Sequence, residues 1–122
     1  MNWISIGAFL AALSVLGGAF GAHGLKARLD PASLALWETA ARYLMYCGLG
    51  LIAVGLTAVQ TGKSSFDLSG YLLLVGGLIF SGTVAALALG GPRWLGAITP
   101  IGGLLLVAGL LYLAWAAMRT LA

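Results

Sequence analysis

Apolar residues fill four long stretches of the chain, and every charged residue lies outside them. The stretches run Trp3–Ala22, Tyr43–Val59, Leu68–Leu89 and Trp94–Met118. A helix rises about 1.5 Å per residue, so roughly 20 apolar residues cross the hydrocarbon core of a bilayer. A helix also pairs its own backbone N–H and C=O groups, which hydrocarbon requires. The pattern predicts an all-α, multi-pass protein of the cell (inner) membrane, with one domain of four transmembrane helices over residues 1–122.

Composition supports a membrane protein, because 61% of the residues are hydrophobic and 7% are charged. Soluble domains carry about 25% charged residues. The net charge of +3 is spread over the loops, which indicates contact with anionic lipid headgroups rather than nucleic acid. The single Cys47 excludes an intrachain disulfide, and one histidine with scattered carboxylates predicts neither a metal site nor a cofactor.

The two ends of the first stretch bear on processing and orientation. A cleaved signal peptide is the rival interpretation, but Met1-Asn2-Trp3 lacks the basic residues that begin one. Basic residues are more frequent in the first and third connections, which hold Lys26, Arg28, Arg42 and Arg93, than in the second connection and at the C-terminus, which hold Lys63 and Arg119. The positive-inside rule then predicts that the first and third connections are cytoplasmic.

The second helix is predicted to begin well before its apolar stretch. Asp30-Pro31 is a good helix start, because Asp accepts from free N–H groups of the first turn and Pro suits the first helical position. A helix from Pro31 to about Thr61 is longer than the membrane is thick. Its first turns are therefore expected to form an amphipathic lead-in, with an apolar stripe of Leu34, Trp37, Ala41 and Leu44.

Small residues recur at helical spacing in the first and third stretches. In lipid, such residues let helix backbones approach closely. The sequence therefore predicts packing contacts, inside the bundle or between copies, at Gly17, Gly21, Gly82 and Gly90.

The fourth stretch contains Thr99-Pro100, for which two interpretations stay open. Pro100 can kink a helix that begins at Trp94, freeing the carbonyl of Gly96. Alternatively, Thr99 caps a helix that begins at Pro100.

A group of polar residues is expected where the first helix leaves the membrane and the second enters it. It contains His23, Glu38, Arg42 and Tyr46. Glu38 and Arg42 are spaced for an ion pair along one helix face. The group is interpreted either as a structural clamp or as a site that handles protons or binds lipid headgroups. Catalysis has no positive signal, because no general base is placed near Cys47.

Four motifs in order along the chain carry a resemblance to a known family. They are Gly18-Ala19-Phe20-Gly21-Ala22-His23-Gly24-Leu25, Trp37-Glu38-Thr39-Ala40-Ala41-Arg42-Tyr43 with Met45-Tyr46, Phe80-Ser81-Gly82, and Leu95-Gly96-Ala97-Ile98-Thr99-Pro100-Ile101-Gly102-Gly103. With these motifs the chain resembles the domain-of-unknown-function 423 family, also called the transmembrane protein 256 family. The resemblance implies a small four-helix protein, mostly of bacterial inner membranes, with no established biochemical activity. Leu44 and Cys47 depart from the family pattern, which has Gln and His there.

These observations favour a membrane component without catalytic activity. It is expected to act as a homo-oligomer or as an accessory subunit of a larger membrane complex. The alternatives are a small transporter or channel built by oligomerisation, and lipid-headgroup binding at the corner formed by His23, Glu38 and Arg42.

Overall fold

The computed structural model describes residues 1–121, and within them the protein is all-helical. The long helices are α1 (Trp3–Phe20), α2 (Pro31–Thr61), α3 (Asp67–Ala88) and α4 (Leu95–Thr120). A π-helical turn, Gly21–Leu25, extends α1, and a 3-10 turn, Ser64–Phe66, precedes α3. All four long helices are long and apolar enough to cross a membrane, which confirms the predicted fold class.

The helix ends follow from local sequence signals. The Asn2 side chain accepts from the N–H of Ser5 at 3.0 Å and begins α1. The Asp30 side chain accepts from the N–H of Ser33 at 2.7 Å, with Pro31 in the first helical position, so α2 starts where the sequence predicts. Gly62 ends α2 with φ of 67°, a left-handed conformation that glycine adopts without strain.

The helices pack mainly in chain order, with α1 on α2, α2 on α3 and α3 on α4. The four crossings alternate in direction, so the first and third connections share one end of the bundle, which we call the loop-1 end. The N-terminus and the second connection share the opposite end, the N-terminal end. There, Trp3 brings α1 into contact with α3, since its ring meets Gly70 and Tyr71.

Glycines make the closest helix contacts, but they are mostly not the predicted ones. Gly7 of α1 faces Gly48 of α2, and Gly76 of α3 faces Gly102 of α4, each so closely that a Cβ atom would meet backbone of the other helix. The third contact, between α2 and α3, places Gly77 on the Cys47 side chain. Close approach at these three points sets the spacing of the bundle.

Of the four predicted packing glycines, one contacts a neighbouring helix within the chain and three do not. Gly21 is buried, and a Cβ atom there would lie 2.6 Å from the Trp37 ring. No atom of a neighbouring element lies within 4 Å of a Cβ placed on Gly17, Gly82 or Gly90, so at these positions only packing between copies stays a prediction. Gly90 instead serves the turn after α3, with φ of 91°.

The structure distinguishes between the two interpretations of Thr99-Pro100, a proline inside the helix and a helix that begins at the proline. Because α4 begins at Leu95, Pro100 lies inside the helix, and the interpretation of Thr99 as a cap is wrong. The Thr99 hydroxyl instead donates to the carbonyl of Leu95 at 3.1 Å and lies 2.6 Å from the Thr83 hydroxyl of α3. The residue before the proline therefore contributes to the contact between α3 and α4.

Acid is expected to loosen the first turn of α2. The N–H of Ser33, together with its hydroxyl, holds the pKa of Asp30 below its ordinary value of 3.8. A carboxyl whose pKa is lowered by folding stabilises the folded state above its unfolded pKa, and this contribution is lost as the pH falls through the folded pKa. The protection factor of the Ser33 amide, which is the intrinsic exchange rate divided by the observed one, should fall in that range in the native chain and not in Asp30→Asn. Equal pH dependence in the two chains would contradict the prediction.

Candidate functional site

A groove lies between α1 and α3 over the face of α2, in the half of the bundle nearer the loop-1 end. Its volume is about 360 Å³. It is lined by Leu10, Leu13, Ser14, Leu16 and Gly17 of α1, by Trp37, Ala40, Ala41 and Leu44 of α2, and by Leu78, Ser81, Gly82 and Ala85 of α3. We call it the α1–α3 groove.

The groove exists because α1 and α3 touch only through Trp3 and its surroundings, while each packs on α2 along its length. Half of its lining is small, with glycine, alanine or serine on all three helices. Gly17 and Gly82 lie on opposite walls, and neither has an atom of another element near its Cβ position. The small residues that predicted helix packing thus lie in an open, apolar depression on the membrane-facing surface.

Each contact between neighbouring helices contains one buried side chain that donates to a backbone carbonyl of the next helix. The Ser14 hydroxyl of α1 donates to Ala41 of α2, and the Cys47 thiol of α2 donates to Leu73 of α3 at 3.2 Å. The Ser69 hydroxyl of α3 donates to Gly109 of α4 at 2.7 Å. We call these three hydrogen bonds the helix joints.

Ser81 resembles the donors of the helix joints but lacks an acceptor. It lies in the α3 wall of the groove and is only 6% exposed, the same as Ser14. Within residues 1–121 its hydroxyl is the one buried side-chain polar atom without a hydrogen-bond partner. A buried hydroxyl without a partner in an apolar site is unfavourable, so Ser81 is a polar residue of the groove wall whose hydrogen-bonding capacity residues 1–121 leave unsatisfied.

The loop-1 end of the groove is closed by an aromatic contact. The Trp37 indole N–H donates to the carbonyl of Gly17 at 2.7 Å, and the Trp37 ring packs edge-on against Phe20 with centroids 6.2 Å apart. The same ring covers Gly21, where the π-helical turn begins. Trp37 therefore fixes the end of α1 against α2.

The predicted polar group does not form a connected cluster in the structure. His23, Glu38, Arg42 and Tyr46 are all exposed. Across residues 1–121, neither an ion pair nor a side-chain hydrogen bond joins any two of them, so the predicted Glu38–Arg42 clamp is absent from the chain itself. Tyr46 instead packs against Tyr43, whose ring also meets Phe80 of α3. Binding of a headgroup at this corner stays a prediction.

Metal binding and nucleophilic chemistry gain no support from the side-chain positions. In the part of the chain that the structure describes, no three His, Cys, Asp or Glu side chains are placed to hold a metal ion. Cys47 is fully buried, and its thiol donates to a backbone carbonyl rather than to a base.

Sequence reasoning missed the contacts at the N-terminal end. The Trp3 indole N–H donates to Asp67 at 2.8 Å, and Trp3 is 2% exposed. The available signals were Asp67, just before the third apolar stretch, and Trp3, at the start of the first. Four alternating crossings place both residues at the same membrane face. Nothing in helical periodicity pairs them, because they are far apart in the chain.

The packing glycines carried a signal that was available in the sequence. Gly48 and Gly55, Gly70 and Gly77, and Gly102 and Gly109 are each seven residues apart. Seven residues make about two turns, so the members of each pair lie on one helix face. All six meet a neighbouring helix closely, but the spacing alone does not select contacts, because Gly17 and Gly24, and likewise Gly96 and Gly103, are also seven residues apart and meet no other helix as closely.

Four membrane-length helices joined by short connections define a small polytopic membrane protein. The chain belongs to the family described as "Protein of unknown function (DUF423)", whose profile matches residues 17–103. It is 49% identical to a UPF0382 membrane protein of Staphylococcus haemolyticus, covering 91% of this chain and 90% of the relative. It is 38% identical to the UPF0382 membrane protein YwdK of Bacillus subtilis, covering 98% of each. No solved structure matches the chain.

Proposed function

We propose that this protein is a non-enzymatic component of the cell membrane that works by assembling with further transmembrane helices. The assembly is either a homo-oligomer or a larger membrane complex in which the chain is an accessory subunit. The observation that carries the proposal is the buried Ser81 hydroxyl in the α1–α3 groove, which has no acceptor within residues 1–121.

The helix joints supply the physical reason. Ser14, Cys47 and Ser69 each donate to a carbonyl of the next helix, so small buried donors in this fold accompany a close helix contact. Ser81 has the same burial and lies beside small residues, but it lines a groove, and its hydroxyl oxygen, which the chain's own atoms cover, must turn toward the groove to meet an acceptor there. By the same logic, the acceptor that it lacks is a backbone carbonyl of another helix.

The size of the groove also bears on what occupies it. The lining residues of α1 run from Leu10 to Gly17, about 10 Å along the helix. A helix 10–12 Å in diameter fills roughly 800–1,100 Å³ over that length, so it cannot enter a groove of about 360 Å³ completely. A helix can, however, lie over the groove with one side-chain ridge inserted. A lipid acyl chain fits the volume but offers no acceptor to Ser81.

Two adjacent glycines test the proposal with a matched pair of substitutions. Gly17 lines the groove and Gly18 does not, while neither has an atom of another element within 4 Å of its Cβ position. Gly17→Leu should fill the groove and reduce the assembly to a single chain of 12.4 kDa, whereas Gly18→Leu should leave the assembly unchanged. The measurement is the native mass after mild extraction from the membrane.

The same measurement can contradict the proposal. A single chain in the native protein, with or without bound lipid, would show that the groove docks no helix. Equal assembly masses for Gly17→Leu and Gly18→Leu would show that any assembly uses another surface.

A further inference from the structure

The outer face of α1 is slender along its centre. It carries Ser5, Ala8, Ala12, Ala19 and Ala22, all exposed, with Val15 among them and the exposed Leu16 at its edge. The exposed face of α4 also contains alanines, but Ile101, Leu104, Leu111, Trp115 and Met118 make it bulkier. A face of alanines allows another surface to come close to the helix backbone, whereas a face of large side chains keeps it away.

We infer that the helix that docks in the α1–α3 groove is α1 of a second copy of this chain, with its alanine face toward the groove. This inference rests on the proposed function and names the partner. The Ser81 side chain of one copy rotates to bring its covered hydroxyl to the groove surface and then donates to a backbone carbonyl of α1 in the neighbouring copy, completing a fourth helix joint between two chains. The alanine face matters because only a slender helix brings its carbonyls within reach of a hydroxyl in the groove wall.

Depth in the membrane is consistent with this contact. Residues 10–17 of α1 line the same groove as Ser81, so this part of α1 lies at the depth of Ser81. Copies of a membrane protein that share one orientation place α1 at the same depth. The neighbour's Ala12, at the centre of the alanine face, therefore reaches the level of Ser81 and Gly82.

The two contact surfaces lie on opposite sides of α1. At 100° per residue, Leu10, Ser14 and Gly17 point toward the groove, and Ala8, Ala12 and Ala19 point the other way. One copy therefore offers its groove and its neighbour offers its alanine face, which is a head-to-tail contact. Such contacts close into rings when the rotation between copies allows it.

Cross-linking in a bilayer that contains only this protein tests the inference directly. Two differently tagged chains, Ala12→Cys and Gly82→Cys, are reconstituted together and oxidised. A disulfide requires Cα atoms about 4.4–6.8 Å apart, so a mixed disulfide would show that the two backbones lie in direct contact. The wild-type chain serves as the blank, since Cys47 is fully buried.

A matched control uses the lipid face of α4. Ile101 lies six residues from the loop-1 end of α4, as Gly82 does from the end of α3, and Ile101 is exposed. Ala12→Cys with Ile101→Cys should give little mixed disulfide. Equal yields for the two pairs, or no mixed disulfide with Gly82→Cys, would overturn the inference.

Substitution of Ser81 tests the hydrogen bond. Ser81→Ala should weaken self-association in the pure bilayer about three- to tenfold, the range expected for one interhelical hydrogen bond. Ser81→Cys should retain most of it, because a thiol is the donor between α2 and α3. Unchanged self-association in Ser81→Ala would refute the role of its hydroxyl.

The outcomes separate this inference from the proposed function. A chain that is monomeric in the pure bilayer, but part of a Gly17-dependent assembly in its native membrane, overturns the second copy as partner and leaves the proposed function standing. A chain that is monomeric in both settings overturns both.

Discussion

Trp3→Ala is expected to destabilise the bundle more than any other single substitution considered for this protein. The Trp3 ring is buried against Gly70, contacts Tyr71 edge-on with centroids 5.0 Å apart, and donates its N–H to Asp67 at 2.8 Å. Removal leaves a cavity and an unpaired carboxylate at the point where α1 meets α3. Loss of a buried tryptophan side chain costs about 3–5 kcal/mol of unfolding free energy in well-packed proteins.

Trp94 supplies the matched control for this prediction, since it is 63% exposed at the opposite end of the bundle. Trp94→Ala should leave the melting temperature in mild detergent nearly unchanged, while Trp3→Ala should lower it strongly. Asp67→Asn should fall between the two, because the amide oxygen still accepts from the indole but without charge. Similar melting of Trp3→Ala and Trp94→Ala would show that the contact of α1 with α3 contributes little.

The second large effect is expected at the crossing of α3 and α4. In Gly76→Ala the new methyl group would lie 2.7 Å from the N atom of Leu106 and 2.9 Å from the carbonyl oxygen of Gly102. Backbone atoms cannot move aside as a flexible side chain can, so the two helices must separate. We expect a loss of about 1–3 kcal/mol of unfolding free energy, as for overpacking elsewhere.

Gly82→Ala is the control on the same helix, because it meets open space. Alanine favours the helical backbone over glycine by up to about 1 kcal/mol, so this variant should be as stable as the native chain or slightly more stable. Reversible unfolding in mixed micelles compares the two variants. A loss of stability in Gly82→Ala equal to that in Gly76→Ala would mean that the groove is closed in the monomer.

The helices could be predicted from the sequence because burial in lipid acts on every residue of a span. The prediction for α2 included its early start at Pro31, since the signal there is local: an aspartate side chain and a proline in the first turn. The choice between a cap and an internal Pro100 could not be made, because both satisfy the same local rules. With Pro100 inside the helix, Thr99 contacts Thr83 of α3. That contact depends on the neighbouring helix, so the local sequence could not indicate it.

The packing glycines show why helix contacts were harder to predict than helices. Small residues are frequent in this chain, and frequency alone does not say which face of a helix meets a neighbour. Gly17 and Gly82 follow the same small-residue spacing as true contacts, yet they line the groove. Seven-residue spacing does not separate them either, since Gly17 and Gly24 share it with Gly48 and Gly55, so only the position of the facing helix identifies a contact.

The predicted ion pair between Glu38 and Arg42 is absent for a different reason. Spacing of four residues places Glu38 and Arg42 on one helix face, but it does not force an exposed pair to form, since both side chains are solvated and lose entropy on pairing. The site that the structure offers instead depends on one serine, Ser81, and nothing in its local sequence, Phe80-Ser81-Gly82, shows whether a helix faces it. The importance of Ser81 becomes apparent only when the structure shows that no helix within residues 1–121 lies over the groove.

Packing in chain order has a consequence for how the bundle is assembled. Contacts lie mainly between consecutive helices, apart from the pairing of Trp3 with α3. Each hairpin can form its hydrogen bond as soon as its second helix enters the bilayer, without waiting for the rest of the chain. During synthesis, α1 is held by α2 alone until Asp67 and Gly70 arrive. The groove therefore exists from the moment α3 is inserted.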